Sequence, residues 1–304
     1  MNIYSDDINI EIVQTQSQLE NIIKKYSSYD RRYVASAVRK EFRIENELKW
    51  NIFKNFADDN YIDQFRRPGQ YLQKLWEMNL GLLINSQTNL ARKPKAGEPD
   101  IITKYFTIEC VCPEPKGVPE MVFNSIEDNV PFIASKVPQD EIILRITPAF
   151  DSKWKQYWQR KKDSSWAQKD YKDLPYVIAL SLADMGCYPI SSTSGLNLVE
   201  DVLMGVGNCV IYVDEITKAL ELGVVTRPTV HKKLKVDIPL GRFQKRMYSG
   251  ISAVIWSSKE NPTDDEVFVV HNPLSTKELS SDLLPKFHHV EFVKKNEGWD
   301  IIRR

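Results

Sequence analysis

The chain has 304 residues, enough for two domains or for one core with large additions. With 42% hydrophobic, 11% aromatic and 27% charged residues it has the balance of an ordinary globular protein, which excludes disordered and collagen-like classes. Lys plus Arg and Asp plus Glu each number 41, so net charge lends no support to a nucleic-acid partner and the local distribution has to carry that question.

In chain order, Met1 to Ile10 carries acids and lacks a basic-then-apolar pattern, so no signal peptide is expected and the reducing cytoplasm is the default compartment. Gln14 to Asn60 reads as helices. Leu19, Ile22, Ile23 and Tyr26 share one face, and Phe42, Ile44, Leu48, Ile52, Phe53 and Phe56 supply the later apolar positions. Arg66-Arg67-Pro68-Gly69 marks a boundary before a helix over Tyr71 to Asn85, in which Leu72, Leu75, Trp76, Leu80 and Leu83 recur at helical spacing. Asp100 to Thr103 and Phe106 to Val111 are β-rich and read as a hairpin. Pro113 to Pro138 holds five prolines and reads as a long loop.

Thr147-Pro148 is an N-cap and N1 pair that should open a helix to about Arg160. Tyr176 to Leu182 has the apolar run of a buried strand, far short of the roughly 18 residues that span a bilayer. A Ser- and Gly-rich loop follows, then a strand at Cys209 to Val213, a helix at Glu215 to Leu222, and strands near Ile251–Trp256, Val267–His271, Val290–Lys294 and Trp299–Ile302. The order of elements argues for a mixed α/β fold. It divides into a helical region (1–66), a core (67–185) and an α/β extension (186–304) packed on or continuing the core.

If the hairpin pairs residues whose numbers sum to 209, Lys104 and Tyr105 form a two-residue turn and Asp100 lies opposite Glu109 on one face. Two carboxylates that close repel, and a hard divalent cation with oxygen ligands relieves the repulsion. The alternative is that both acids simply face solvent from an edge hairpin. Lys-Tyr is also not the Asn-Gly or Asp-Gly that a tight turn favours.

The succession Trp76-Glu77-Met78, Gly97-Glu98-Pro99-Asp100, Ile108-Glu109-Cys110-Val111-Cys112-Pro113 and Leu144-Arg145-Ile146-Thr147, followed by Lys153 and Pro175-Tyr176-Val177-Ile178-Ala179, resembles the PD-(D/E)XK nuclease superfamily. The resemblance covers roughly residues 67 to 182, and it fits a branch with Glu-x-Val in place of Glu-x-Lys. It implies a restriction-endonuclease-like core with a mixed central sheet flanked by helices. It also implies a Mg²⁺- or Mn²⁺-dependent nuclease acting on nucleic acid, DNA in the first place. Asp100 and Glu109 would bind the metal with the Cys110 main-chain carbonyl, and Glu77 would approach from the first core helix, through a water.

The family lysine is Val111 here, so either a cation arrives from elsewhere or turnover is lost and a binding domain for nucleic acid or a protein partner remains. Lys153, Gln156, Tyr157 and Arg160 recur at i, i+3, i+4 and i+7, and Lys153 is the candidate replacement; the alternative for it is a solvated helix charge. Arg145, Lys155 and Arg160 could contact phosphate. Between Arg227 and Arg246 seven basic residues, with Lys232, Lys233 and Lys235 at their centre, meet one acid. That patch could follow a phosphate backbone or be a solvated loop. No membrane is expected as a partner, and a homodimer is compatible with this reading. The four cysteines show no zinc spacing and read as buried free thiols, and His271-Asn272-Pro273 reads as a structural cap.

Overall fold

The computed structural model describes residues 2–11, 13–119, 138–163, 165, 169–185, 198–213, 216–218, 220–232, 236–295 and 298–304. Four helices open the chain: α1 (Gln16–Lys25), α2 (Arg31–Val38), α3 (Lys40–Phe53) and α4 (Tyr61–Arg66). Their first two starts are set by side chains. Thr15 and Gln18 form a capping box on α1, and the Asp30 carboxylate accepts from the Arg32 and Tyr33 amides at the start of α2.

The face of α3 that turns inward is not the one read from its apolar residues. Asn46, Trp50 and Phe53 are buried, whereas Phe42, Ile44, Leu48 and Ile52 are exposed. The inward choice follows from partners: Trp50 stacks on Tyr61 with ring centroids 5.2 Å apart, and the Asn46 amide donates to the Tyr4 hydroxyl at 2.8 Å.

The fifth helix, α5 (Tyr71–Thr88), is buried along most of its length and lies against the sheet. Gly81 allows the close approach of α3, because a Cβ there would stand 2.4 Å from Phe53 Cε2. Among the described residues the sheet has seven strands and mixed direction. In spatial order they are β1 (Ile101–Ile102), β2 (Thr107–Val111), β3 (Tyr176–Ser181), β8 (Ala253–Ser257), β9 (Phe268–His271), β10 (His288–Lys295) and β11 (Gly298–Arg303). The pairs β2/β3, β3/β8 and β9/β10 are parallel, and β1/β2, β8/β9 and β10/β11 are antiparallel. Strands from both 67–185 and 186–304 therefore share one sheet.

Alternation along the strands divides the core in two. Ile108, Cys110, Val177 and Ala179 pack with α5 and the amino-terminal helices. Ile178, Leu180 and Val254 pack on the other face with α6 (Gln139–Lys162) and α7 (Leu198–Met204), and Val111 joins them. The odd-numbered positions of β2, Glu109 among them, thus face α6.

Two sequence expectations fail here. Thr147-Pro148 does not open α6; the helix begins nine residues earlier and runs through Pro148. Burial of Ile142, Ile143, Ile146 and Phe150 along one stripe outweighs the lost amide of the proline, which has no N–H for the Leu144 carbonyl. The helix expected at Glu215 to Leu222 is not formed by its described residues either. Leu220 begins β5 (Leu220–Thr226), which pairs antiparallel with β4 (Val206–Val213). The β-branched run Val224-Val225-Thr226 and its ladder override a short helical pattern, and Lys218 takes a left-handed φ of 59° beside the turn.

A second two-stranded ribbon, β6 (Thr229–Lys232) with β7 (Val236–Pro239), packs near α6. Among the described residues no helix is long and apolar enough to cross a membrane. Most of the proline-rich loop, the Ser-rich segment 191–194, Cys187, Lys233 and Lys235 lie outside the described residues. Cys110 is a buried free thiol and Cys112 a half-buried one.

Candidate active site

The hairpin takes the register read from the sequence, with Ile101 opposite Ile108 and Ile102 opposite Thr107. Continued by one residue, that register sets Asp100 across from Glu109. The turn is held without Asn-Gly. The Thr103 hydroxyl accepts from the Tyr105 and Phe106 amides at 3.0 and 2.9 Å, and the Thr103 amide donates to the Phe106 carbonyl at 3.0 Å. Asp100 is fixed in turn by the Cys110 amide, which donates to its Oδ2 at 2.8 Å.

Glu109 is buried and faces α6, from which two cations reach it. Lys153 Nζ donates to Oε1 at 2.9 Å, and Arg160 donates to Oε2 at 2.5 Å. Arg160 also bonds the Tyr176 hydroxyl at 3.3 Å and the Glu98 carbonyl at 3.2 Å. These distances follow from the fold, since the strand position two residues after Glu109 is the apolar Val111 and the nearest polar stripe is that of α6. Lys153 therefore reaches Glu109 from the helix that covers the same face. Burial alone would lower the Lys153 ammonium, but the charges of Glu109 and Asp100 outweigh it and raise it. Asp100 is half-buried; desolvation and then the charge of Glu109 push its carboxyl up to about 6, against the pull of Lys153 and Lys74.

Glu77 comes from α5, on the opposite face. It is fully buried, its Oε2 accepts from Lys74 Nζ at 2.7 Å, and Lys74 also reaches Asp58 at 3.2 Å. Its Oε1 has no hydrogen-bond partner among the described residues. Burial, followed by the charge of Asp100, pushes Glu77 up to about 8, and Lys74 opposes the rise. The sequence carries no signal that singles out Lys74. A lysine three residues before an acid on a helix is common on surfaces, and nothing in Lys74-Leu75-Trp76-Glu77 marks this pair as 3% and 0% exposed.

Among the described residues no three His, Cys, Asp or Glu side chains gather closely enough to form a metal cage. The donor chemistry nevertheless fits a hard divalent cation that keeps most of its waters. Two carboxyl groups, on Asp100 and Glu77, are held above their usual range, and a buried carboxylate oxygen of Glu77 lacks a partner.

The expected nucleic-acid contacts separate. Lys155 is exposed on α6, and Arg160 is turned inward to Glu109. Arg145 lies within α6 rather than before a helix, and it shares a cleft with Lys232. The basic run 227–246 is partly internal: Arg242 is 4% exposed and bonds Asp151 at 2.9 Å, and Arg227 pairs with Asp140. Those two cations are neutralised in the fold and leave a smaller patch than the sequence count indicates. His271 is paired as well, its Nε2 lying 2.8 Å from Nδ1 of His289, while Asn272 caps the Tyr248 and Ile251 carbonyls.

In comparisons with known proteins, no family model matches the chain, and no curated protein or solved structure matches it either.

Proposed function

We propose that the chain is a metal-dependent nuclease of the restriction-endonuclease-like kind, hydrolysing phosphodiester bonds of nucleic acid, with DNA as the first substrate. The observation that carries the reading is the 2.9 Å contact between Lys153 and Glu109, which delivers a lysine to the acidic pair although the strand position for it is Val111. Further support comes from the order helix, hairpin, helix, parallel strand over α5, β1/β2, α6 and β3.

In this reading Asp100, Glu109 and the Cys110 carbonyl hold Mg²⁺ or Mn²⁺, and Glu77 acts through a water. The chemistry supplied by the cation is a lowered pKa for the attacking water and relief of charge on the phosphate. Lys153 stabilises charge developing on the phosphoryl oxygens. Arg160 orients Glu109 through Oε2, and the Cys110 amide orients Asp100.

A second reading, a nuclease-like domain that binds nucleic acid or a protein partner without turnover, draws on the fact that both Glu109 oxygens already have cationic partners. The experiment that separates them is incubation of the purified protein with plasmid, linear duplex and single-stranded substrates in Mg²⁺ or Mn²⁺ against a chelator. Chelator-sensitive cleavage lost in Asp100→Ala supports the enzyme. Binding with no cleavage under any metal supports the second reading.

A further inference from the structure

On the outer side of α6 a cleft of about 650 Å³ opens between that helix, the loop at Lys116 and Gly117, and the β6/β7 ribbon. The volume lies within the range of small-molecule sites. Its charges are unevenly matched. Asp140 is paired with Arg227 and Asp151 with Arg242, so two acids on the wall are neutralised by cations outside the lining, and Glu141 remains. The side chains of Lys116, Arg145 and Lys232, by contrast, have no ion pair or hydrogen bond among the described residues, so the cleft is lined by three unpaired cations and one unpaired acid.

The wall also carries an unmet hydroxyl. Thr147 is 3% exposed and its Oγ1 has no partner among the described residues. A buried hydroxyl left this way is destabilising unless something bonds it. Leu144, Pro148 and Ile238 add apolar surface beside it. A site with an apolar wall, a few placed polar atoms and a surplus of unpaired cations suits a ligand with an anionic group and a flat or apolar body.

We propose that this cleft binds an organic phosphate, its phosphoryl group held by Lys116, Arg145 and Lys232 and its body lying on Leu144, Pro148 and Ile238. Two sources share this chemistry: a free nucleotide, and a phosphodiester unit of a nucleic-acid strand. Arg145 and Lys153 are eight residues apart on one helix, about 12 Å along its axis at 1.5 Å per residue. Arg145 opens to this cleft whereas Lys153 is turned to Glu109 at the sheet, so the two places are separate along the helix. The proposal does not depend on the nuclease reading, because its test reads binding with divalent metal chelated.

The test is calorimetric titration of the full chain in EDTA with AMP and, separately, with a short oligothymidylate. At least one is expected to bind, and Arg145→Met and Lys232→Met are each expected to weaken it by about tenfold, near 1.4 kcal/mol. Lys24→Met, a neutralised exposed lysine on α1, should leave the affinity unchanged. Lys116→Met repeats the test at an exposed loop position without touching α6. Dependence of AMP binding on these residues identifies a nucleotide site, and the same dependence with the oligonucleotide alone identifies a strand contact. The proposal is overturned if neither ligand binds, if the cleft substitutions leave affinity unchanged, or if Lys24→Met weakens it equally.

Discussion

The two faces of the sheet treat their acidic residues differently. On the α6 face, Glu109 has a cation on each oxygen, Lys153 on one and Arg160 on the other. On the α5 face, Glu77 has one oxygen on Lys74 and the other on nothing described, and its carboxyl is raised to about 8. Burial is nearly the same in the two places, so the difference lies in the number of donors. One face is locked in charge and geometry, whereas the other holds an unmet acceptor beside Asp100. A cation entering between them would find the locked side already oriented and the unmet side with most to gain.

The largest effects should come from the acids at the junction of the faces. Asp100→Ala and Glu109→Gln are expected to abolish metal-dependent cleavage while circular dichroism stays that of the wild type. Gln is the informative change at 109. Glu109→Ala would strand two cations that are only 15% and 13% exposed, at a cost of about 3 kcal/mol from the broken buried pairs. Full activity in either variant would remove the assigned site.

Next is the locked face alone. Lys153→Met should lower turnover by a factor of order 10² to 10³ at saturating substrate and leave substrate binding nearly unchanged, as for loss of one preorganised charge. Arg160 still holds Glu109 in that variant, so wild-type turnover would reduce Lys153 to a structural partner.

The unmet face should show itself in pH dependence. Glu77 and Asp100 have folded-state values of about 8 and about 6, above the ordinary 4.5 and 3.8, so the folded chain holds these protons more tightly than the unfolded one. Their stabilisation is full below about pH 4 and is lost as pH rises toward 8. The melting temperature of the metal-free protein should therefore decline across that window. Glu77→Gln should flatten the decline above about pH 6, and with it metal affinity should weaken by about tenfold, with raised Mn²⁺ restoring part of the cleavage. A wild-type slope in Glu77→Gln would place the titration elsewhere.

The smallest effect tests the frame that joins the faces. Thr103→Ala removes three side-chain hydrogen bonds from the Lys104-Tyr105 turn and should cost about 1–2 kcal/mol by urea unfolding, with cleavage largely kept. No loss of stability would mean that strand pairing alone holds the register.

The hairpin and its register were legible because strand alternation is a period of two and the two acids stand at positions that alternation brings opposite each other. Lys153 was legible as part of a polar stripe on α6. The stripe reads as solvent-facing, yet Tyr157 within it is buried and both cations point at the sheet. Charge pattern alone cannot distinguish an outward stripe from one drawn inward by a buried carboxylate. Lys74 was illegible for the same reason, as was the inward face of α3, where Asn46 displaces Ile44 and Leu48. Pro148 misled because capping signals are local, whereas the burial that carries α6 through it comes from residues distant in the chain.

The central place of β3 has a consequence for how the protein is made. Its far edge is completed by β8, so Val177 pairs with Ala253 and Ser181 with Ser257, more than seventy residues later. A nascent chain that has emerged only to residue 185 presents an apolar strand with an open ladder, the kind of edge that recruits other chains. The acidic site then shares the fate of that edge: its supporting strand is finished only after residue 257 is available, which makes folding late and non-local. A fragment ending near residue 185 should therefore aggregate, although every proposed metal-binding side chain lies within it.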